Sequence, residues 1–112
     1  MDPWFTQRLI QEKKYKMERL GKFAEIEKEH IHDLRRGHDA EAVQWKIPNG
    51  YGASIASNQI THYTPELAVL KYDEVGESSL VYDTPITSDV IPRVNVGDAK
   101  VLLGRIKSLP VQ

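Results

Sequence analysis

The segment EKEHIHDLRRGHD holds the side chains of this chain that are best suited to bind a metal ion. Its histidines and aspartates are His30, His32, Asp33, His38 and Asp39. Two histidines that bind zinc from one helix stand three or four residues apart, because that spacing puts both rings on the same face. On a helix, His30 and Asp33 share a face but His32 points elsewhere. The spacing therefore favours a solvated surface, and we predict no metal and no cofactor.

A second group of candidate residues surrounds the glycines of PNGYGAS, residues 48–54. This stretch lacks the Gly-Lys-Ser/Thr ending of a phosphate-binding loop, so its glycines are interpreted as turn residues. Ser54 and Ser57 have no nucleophile-elbow motif around them, and His62 is the nearest base in the sequence. We therefore predict no catalytic residues and a protein that is not an enzyme.

The stretch VYDTPITSDV, residues 81–90, raises the same question for two carboxylates, Asp83 and Asp89. Aspartate commonly accepts backbone N–H bonds in turns and at helix starts. We interpret both residues as structural, in a turn at Pro85 followed by a short helical turn that begins near Thr87.

Basic residues are concentrated near the N-terminus, at Arg8, Lys13, Lys14, Lys16, Arg19 and Lys22. Such a stripe could bind the phosphates of a nucleic acid. Glutamates at 12, 18, 25, 27 and 29 alternate with or follow these residues, which favours a mixed, solvated surface. Nucleic-acid binding is therefore the alternative function.

The composition is that of one globular domain in a chain of 112 residues. A formal net charge of -1 gives no overall attraction to nucleic acid or to an anionic membrane. The absence of cysteine excludes disulfides and thiolate chemistry. No apolar run is long enough to span a membrane, and charges stand where a secretory signal would need its apolar centre. We expect a cytoplasmic protein that does not bind membranes.

The N-terminal third of the chain, residues 1–37, is predicted to be helical, either as one helix or as two helices that break at Gly21. Between Trp4 and Arg36 there is no proline, and the apolar residues form a stripe at helical spacing: Ile10, Met17, Leu20, Ala24, Ile31 and Leu34. The stripe is longer than a small sheet can cover. We therefore predict a partner-binding surface at Trp4, Ile10, Met17 and Leu20, which would also allow a homodimer through this helix.

The rest of the chain predicts a small antiparallel sheet with a covering helix. Alternating apolar residues on both sides of Pro48-Asn49-Gly50 predict a hairpin over 43–57, and 66–72 with 79–82 predict a second one. Asn95 and Asp98 form a capping-box pattern before the amphipathic segment 95–109. The predicted fold is one α+β domain over 1–112, with about four strands in 43–82.

Taken together, PNGYGAS at 48–54, ELAVL at 66–70 and YDTPITSDVI at 82–91 resemble a family of small phage and prophage proteins. The resemblance covers about residues 47–109 and implies a phage origin. The shared motifs are turn motifs, so it implies no active site.

These observations predict a non-enzymatic phage-type accessory protein that binds a host or phage protein. An inhibitor of a host defence system, such as an anti-CRISPR protein, is a concrete form of this prediction.

Overall fold

The computed structural model describes residues 19–111, which form a five-stranded antiparallel sheet with one C-terminal helix, an α+β fold. The strands lie in the sheet in chain order. Their bounds are β1 Ile31–Arg36, β2 Glu41–Lys46, β3 Tyr51–Ser57, β4 Glu66–Tyr72 and β5 Ser78–Leu80, and helix α1 is Val96–Lys107.

The central hairpin of the sheet, β2 with β3, was predicted correctly from its alternating pattern. Val43 pairs with Ile55, which pairs in turn with Leu67 of β4, so one face of three strands is apolar and fully buried. Trp45 lies on the same face and is also fully buried. Its indole Nε1–H donates a hydrogen bond to the Ile26 carbonyl over 2.8 Å. This face is the core of the protein.

Helix α1 covers the core face, as the sequence predicts. Asn95 caps it through a side-chain bond from the Asp98 N–H at 2.7 Å, and Asp98 in return accepts the Asn95 N–H. Ala99, Leu103 and Ile106 are fully buried in the core cluster. No helix within residues 19–111 has both the length and the apolar character needed to cross a bilayer.

The helical prediction for residues 1–37 is wrong in the part that the structure describes. Three single 3-10 turns, Arg19–Gly21, Phe23–Glu25 and Lys28–His30, are followed by strand β1. Leu20, Phe23 and Ile26 stand three residues apart and are all buried in the core, which suits 3-10 turns as well as a helix. Pairing with β2 then overrides the helix propensity of Ile31–Arg36. The predicted stripe residues Ile10 and Met17 lie outside the described residues.

Residues 81–94 return along the outer edge of β4 without forming the predicted helical turn. Ile91 exchanges two backbone hydrogen bonds with Leu67, at 2.8 and 2.9 Å. Thr87 does make a local turn, because its hydroxyl accepts the Asp89 N–H at 3.1 Å. Asp83 is exposed and makes no hydrogen bond within residues 19–111, so the structure gives it no capping role.

Candidate interaction surface

The β2–β3 turn is fixed to the end of α1 by one buried side chain. The Asn49 amide Nδ2 donates to the carbonyl oxygens of Ile106 at 2.7 Å and of Leu109 at 3.2 Å. Its Oδ1 accepts the Tyr51 N–H at 3.0 Å, and Gly50 adopts a left-handed φ of 91°. The turn of the PNGYG motif is therefore a rigid part of the structure.

The β4–β5 loop lies at the same end of the sheet and is also held rigid. Asp73 Oδ1 accepts the N–H groups of Val75 at 3.0 Å and Glu77 at 2.9 Å. Gly76 has a φ of 84°, a conformation that favours glycine. This arrangement leaves the Val75 side chain 81% exposed at the tip of the loop.

Between the turn and the loop lies a cleft of about 750 Å³, which we call the turn cleft. Residues that line it include Pro48, Lys71, Tyr72, Glu74, Val75 and Val111. Val111 is 77% exposed, so two of the residues that line the cleft, Val75 and Val111, are exposed apolar side chains. A concave surface with apolar walls and a few charges at its rim is suited to receive a side chain of another molecule.

Tyr72 lines the turn cleft and is buried among polar and charged side chains. Its ring contacts the His32 ring edge-on with a centroid distance of 5.6 Å, and Lys46 Nζ lies 5.4 Å from its centroid. Burial, together with the charge of Asp33, raises the pKa of the Tyr72 phenol above its usual value. The phenol therefore stays protonated and cannot act as a base or a nucleophile near neutral pH.

The serine and histidine candidates are not brought together into a catalytic arrangement. Ser57 is buried at the end of β3, where it pairs with Glu41, whereas His62 is exposed in the β3–β4 loop. Burial raises the pKa of Glu41, although the nearby Arg36 opposes this effect. No hydrogen bond links Ser57 to His62 within the described part of the chain, so the predicted absence of a serine nucleophile stands as a prediction.

The structure brings together a metal-ligand group that the sequence did not predict. One ligand atom each of Glu27, Glu29 and His30 lies within 4.8 Å of the others. Lys107 Nζ already contacts both carboxylate oxygens of Glu27, at 3.1 and 3.3 Å. A hydrogen bond from its own backbone lowers the pKa of Glu29, and the charge of His30 lowers it further.

The remaining histidines of this segment are dispersed. His32 is on β1, and its ring contacts Tyr72 of β4. His38 is exposed in the β1–β2 turn. Only the histidines and aspartates of this segment were considered as ligands from the sequence, so Glu27 was missed, although a spacing of three residues puts Glu27 and His30 on one face of a helix as well.

The predicted partner-binding residues are also placed differently. Leu20 is 2% exposed in the core, so it cannot contact a partner from the folded chain, and that prediction is wrong. Among the predicted basic residues, Arg19 lies in the first 3-10 turn and Lys22 is exposed. The other predicted residues lie outside the described ones: Trp4, Ile10, Met17, Arg8, Lys13, Lys14 and Lys16.

Comparison of the chain with protein-family models, with curated proteins and with solved structures gives no significant match.

Proposed function

We propose that this protein is a non-enzymatic accessory protein that binds another protein, and that the turn cleft is part of its binding surface. The observation that supports this proposal best is the exposure of Val75 and Val111 beside a cleft with rigid walls. Apolar side chains that protrude from fixed loops can be buried by a partner at a small cost in conformational entropy.

The rigidity of the two walls comes from separate contacts. Asn49 holds one wall to α1, and Asp73 holds the other through two backbone bonds. The binding surface is thus formed before the partner arrives. A partner would place an apolar side chain between Val75 and Val111 and meet Lys71 and Glu74 at the rim.

The identity of the partner rests on the resemblance of the PNGYG, ELAVL and YDTPIT segments to phage proteins. It suggests a host or phage protein in the cytoplasm of a bacterial cell. Inhibition of a host defence system, such as a CRISPR complex, is the form of this function that we favour.

An affinity pull-down from bacterial lysate, with and without nuclease, tests the proposal. We expect a protein partner whose capture resists nuclease and is lost with Val75→Asp. The matched control is Ile60→Asp, because Ile60 is 90% exposed in the β3–β4 loop at the opposite end of the sheet. Both variants should melt at the temperature of the parent protein.

Two results would contradict the proposal. Equal loss of the partner with both variants would show that the turn cleft is not the binding surface. Loss of all captured protein on nuclease treatment would favour the alternative, in which the basic residues between Arg8 and Lys22 bind nucleic acid.

A further inference from the structure

The two edges of the sheet are formed by strands of different length. At one edge, β5 has only three residues, and the rest of the outer side of β4 is covered where Leu67 bonds to Ile91 and the Val69 carbonyl accepts the Val81 N–H at 3.0 Å. On the other side, no strand of residues 19–111 pairs with the outer edge of β1. An open strand edge carries a row of N–H and C=O groups that can pair with another strand.

The hydrogen-bond pattern of the β1–β2 hairpin identifies the outward-facing groups. The Gly37 N–H donates to the Ala40 carbonyl at 2.9 Å, so residues 37 and 40 are a hydrogen-bonded pair. Along an antiparallel ladder, hydrogen-bonded pairs alternate with pairs that are not hydrogen-bonded. The next hydrogen-bonded pair is therefore Arg35 with Ala42, and the pairs of Leu34 and Arg36 with β2 are not hydrogen-bonded. The N–H and C=O groups of Leu34 and Arg36 therefore point away from β2.

From this geometry we infer that β1 pairs antiparallel with β1 of a second copy of this chain, centred on Leu34. The two copies then form one continuous sheet, in which each Leu34 exchanges two backbone hydrogen bonds with the Leu34 of the other copy. This inference concerns self-association and does not depend on the proposed function.

Charge selects this register over the others that the outward groups allow. Centred on Leu34, each Asp33 lies directly opposite the Arg35 of the other copy. In a second register, Leu34 of one copy bonds to Arg36 of the other, and the two Arg35 side chains lie opposite each other. In a third register, Arg36 bonds to Arg36, so the two Arg36 side chains lie opposite each other. Like charges directly opposite each other destabilise an antiparallel pair, whereas opposite charges stabilise it.

The side chains on β1 fit the same arrangement. Arg35 Nε lies 2.9 Å from Asp33 Oδ2 within one chain, so both groups share one face and can form a four-membered charge cluster across the copies. Leu34 lies on the other face, beside Val43, and is 43% exposed. Pairing would bury the two leucines against each other at the margin of both cores.

The irregular register between Ile31 and Asp33 limits the length of the contact. Bulges commonly end strand pairing at a sheet edge. In the register centred on Leu34, Arg36 faces His32 of the other copy, which lies in this irregular stretch, so regular pairing is confined to residues 33–35. Such a small interface predicts a weak dimer with a dissociation constant on the order of 100 µM.

Cysteine cross-linking of the full chain tests the register. The chain contains no cysteine, so any disulfide must form through the introduced residue. In a hydrogen-bonded antiparallel pair the Cα atoms are about 5.5 Å apart, within the range of a disulfide. We expect Leu34→Cys to form a covalent dimer under mild oxidation. Arg36→Cys is the control, because two residues 36 would be separated by about 13 Å in this register. Equal cross-linking of both variants would overturn the register.

Variants with exchanged charges test the pairing without a cross-link. Sedimentation over a range of protein concentrations measures the dissociation constant of each dimer. We expect Asp33→Arg and Arg35→Asp each to weaken the dimer at least about tenfold, and the double variant to restore it within a few-fold. Thermal melts establish that the variants are folded. A parent protein that stays monomeric at about 500 µM, or a dimer unaffected by the single variants, would refute the inference.

Discussion

The Asn49 side chain joins the β2–β3 turn to the Ile106 carbonyl over 2.7 Å, a hydrogen bond between residues 57 positions apart in the chain. It links the sheet to the last turn of α1, where backbone carbonyls have no partner within the helix. The PNGYG turn is thus also the C-terminal cap of the covering helix.

Replacement of Asn49 should therefore lower the free energy of unfolding more than replacement of an ordinary turn residue does. We expect Asn49→Ala to lower the free energy of unfolding by about 2 kcal/mol, since the Leu109 carbonyl loses the Asn49 donor and the Ile106 carbonyl keeps only the Leu109 N–H. Urea denaturation measures this, with the helix-cap variant Asn95→Ala as a comparison at about 1 kcal/mol. A loss below about 0.5 kcal/mol for Asn49→Ala would show that water replaces the amide at little cost.

Two glycines should respond in opposite directions to alanine. A Cβ on Gly52 would lie 2.7 Å from the Tyr72 ring and would also collide with the Trp45 carbonyl. We expect Gly52→Ala to destabilise the protein by about 3 kcal/mol. In α1, a Cβ on Gly104 would meet nothing within 4 Å, and Gly104→Ala should stabilise the helix by about 0.5 to 1 kcal/mol. Thermal melts of both variants check the two signs, and a stable Gly52→Ala would contradict the close approach.

The effect of Glu41 on stability should depend on pH. Burial raises the pKa of Glu41 above its ordinary value of 4.5, so the folded protein favours the protonated carboxyl. The protonated Glu41 carboxyl therefore adds to the free energy of unfolding. This contribution is complete below pH 4.5, and it is lost as pH rises through the higher pKa of Glu41 in the folded protein.

Glu41→Gln mimics the protonated form and isolates this effect. The variant should match the parent protein at low pH and become the more stable of the two as pH rises to 7. Melting temperatures at several pH values measure the difference, with the exposed Glu77→Gln as a control. A parent protein more stable than Glu41→Gln at pH 7 would mean that the attraction of Arg36 exceeds the cost of burial.

The Glu27, Glu29 and His30 group should not retain a transition metal during purification. A metal ion would have to displace Lys107 from both Glu27 oxygens, and Glu29 is exposed. Elemental analysis should therefore find much less than one zinc per chain. A full equivalent of zinc that is lost with His30→Ala would contradict this prediction.

The sequence predicted the elements whose signals are local. The alternation at Val43 and Trp45 and the cap at Asn95 each define an element within a few residues, and the structure confirms them. Strand β1 was missed because IHDLRR contains good helix formers, and its pairing with β2 depends on tertiary contacts. The turn cleft could not be predicted either, since Pro48, Val75 and Val111 are distant in the chain and meet only after folding.

The order of the strands has a consequence for how this protein folds. Each strand pairs with the strand that precedes or follows it, so every ladder of the sheet closes through a short connection. Proteins dominated by such local contacts lose little chain entropy before their contacts form, and they fold faster than sheets with crossover connections. The contact of α1 with the sheet, where Asn49 bonds to Ile106 across 57 positions, is by contrast long-range. Refolding should therefore slow when that contact is weakened, whereas changes at the tip of the β4–β5 loop should leave its rate almost unchanged.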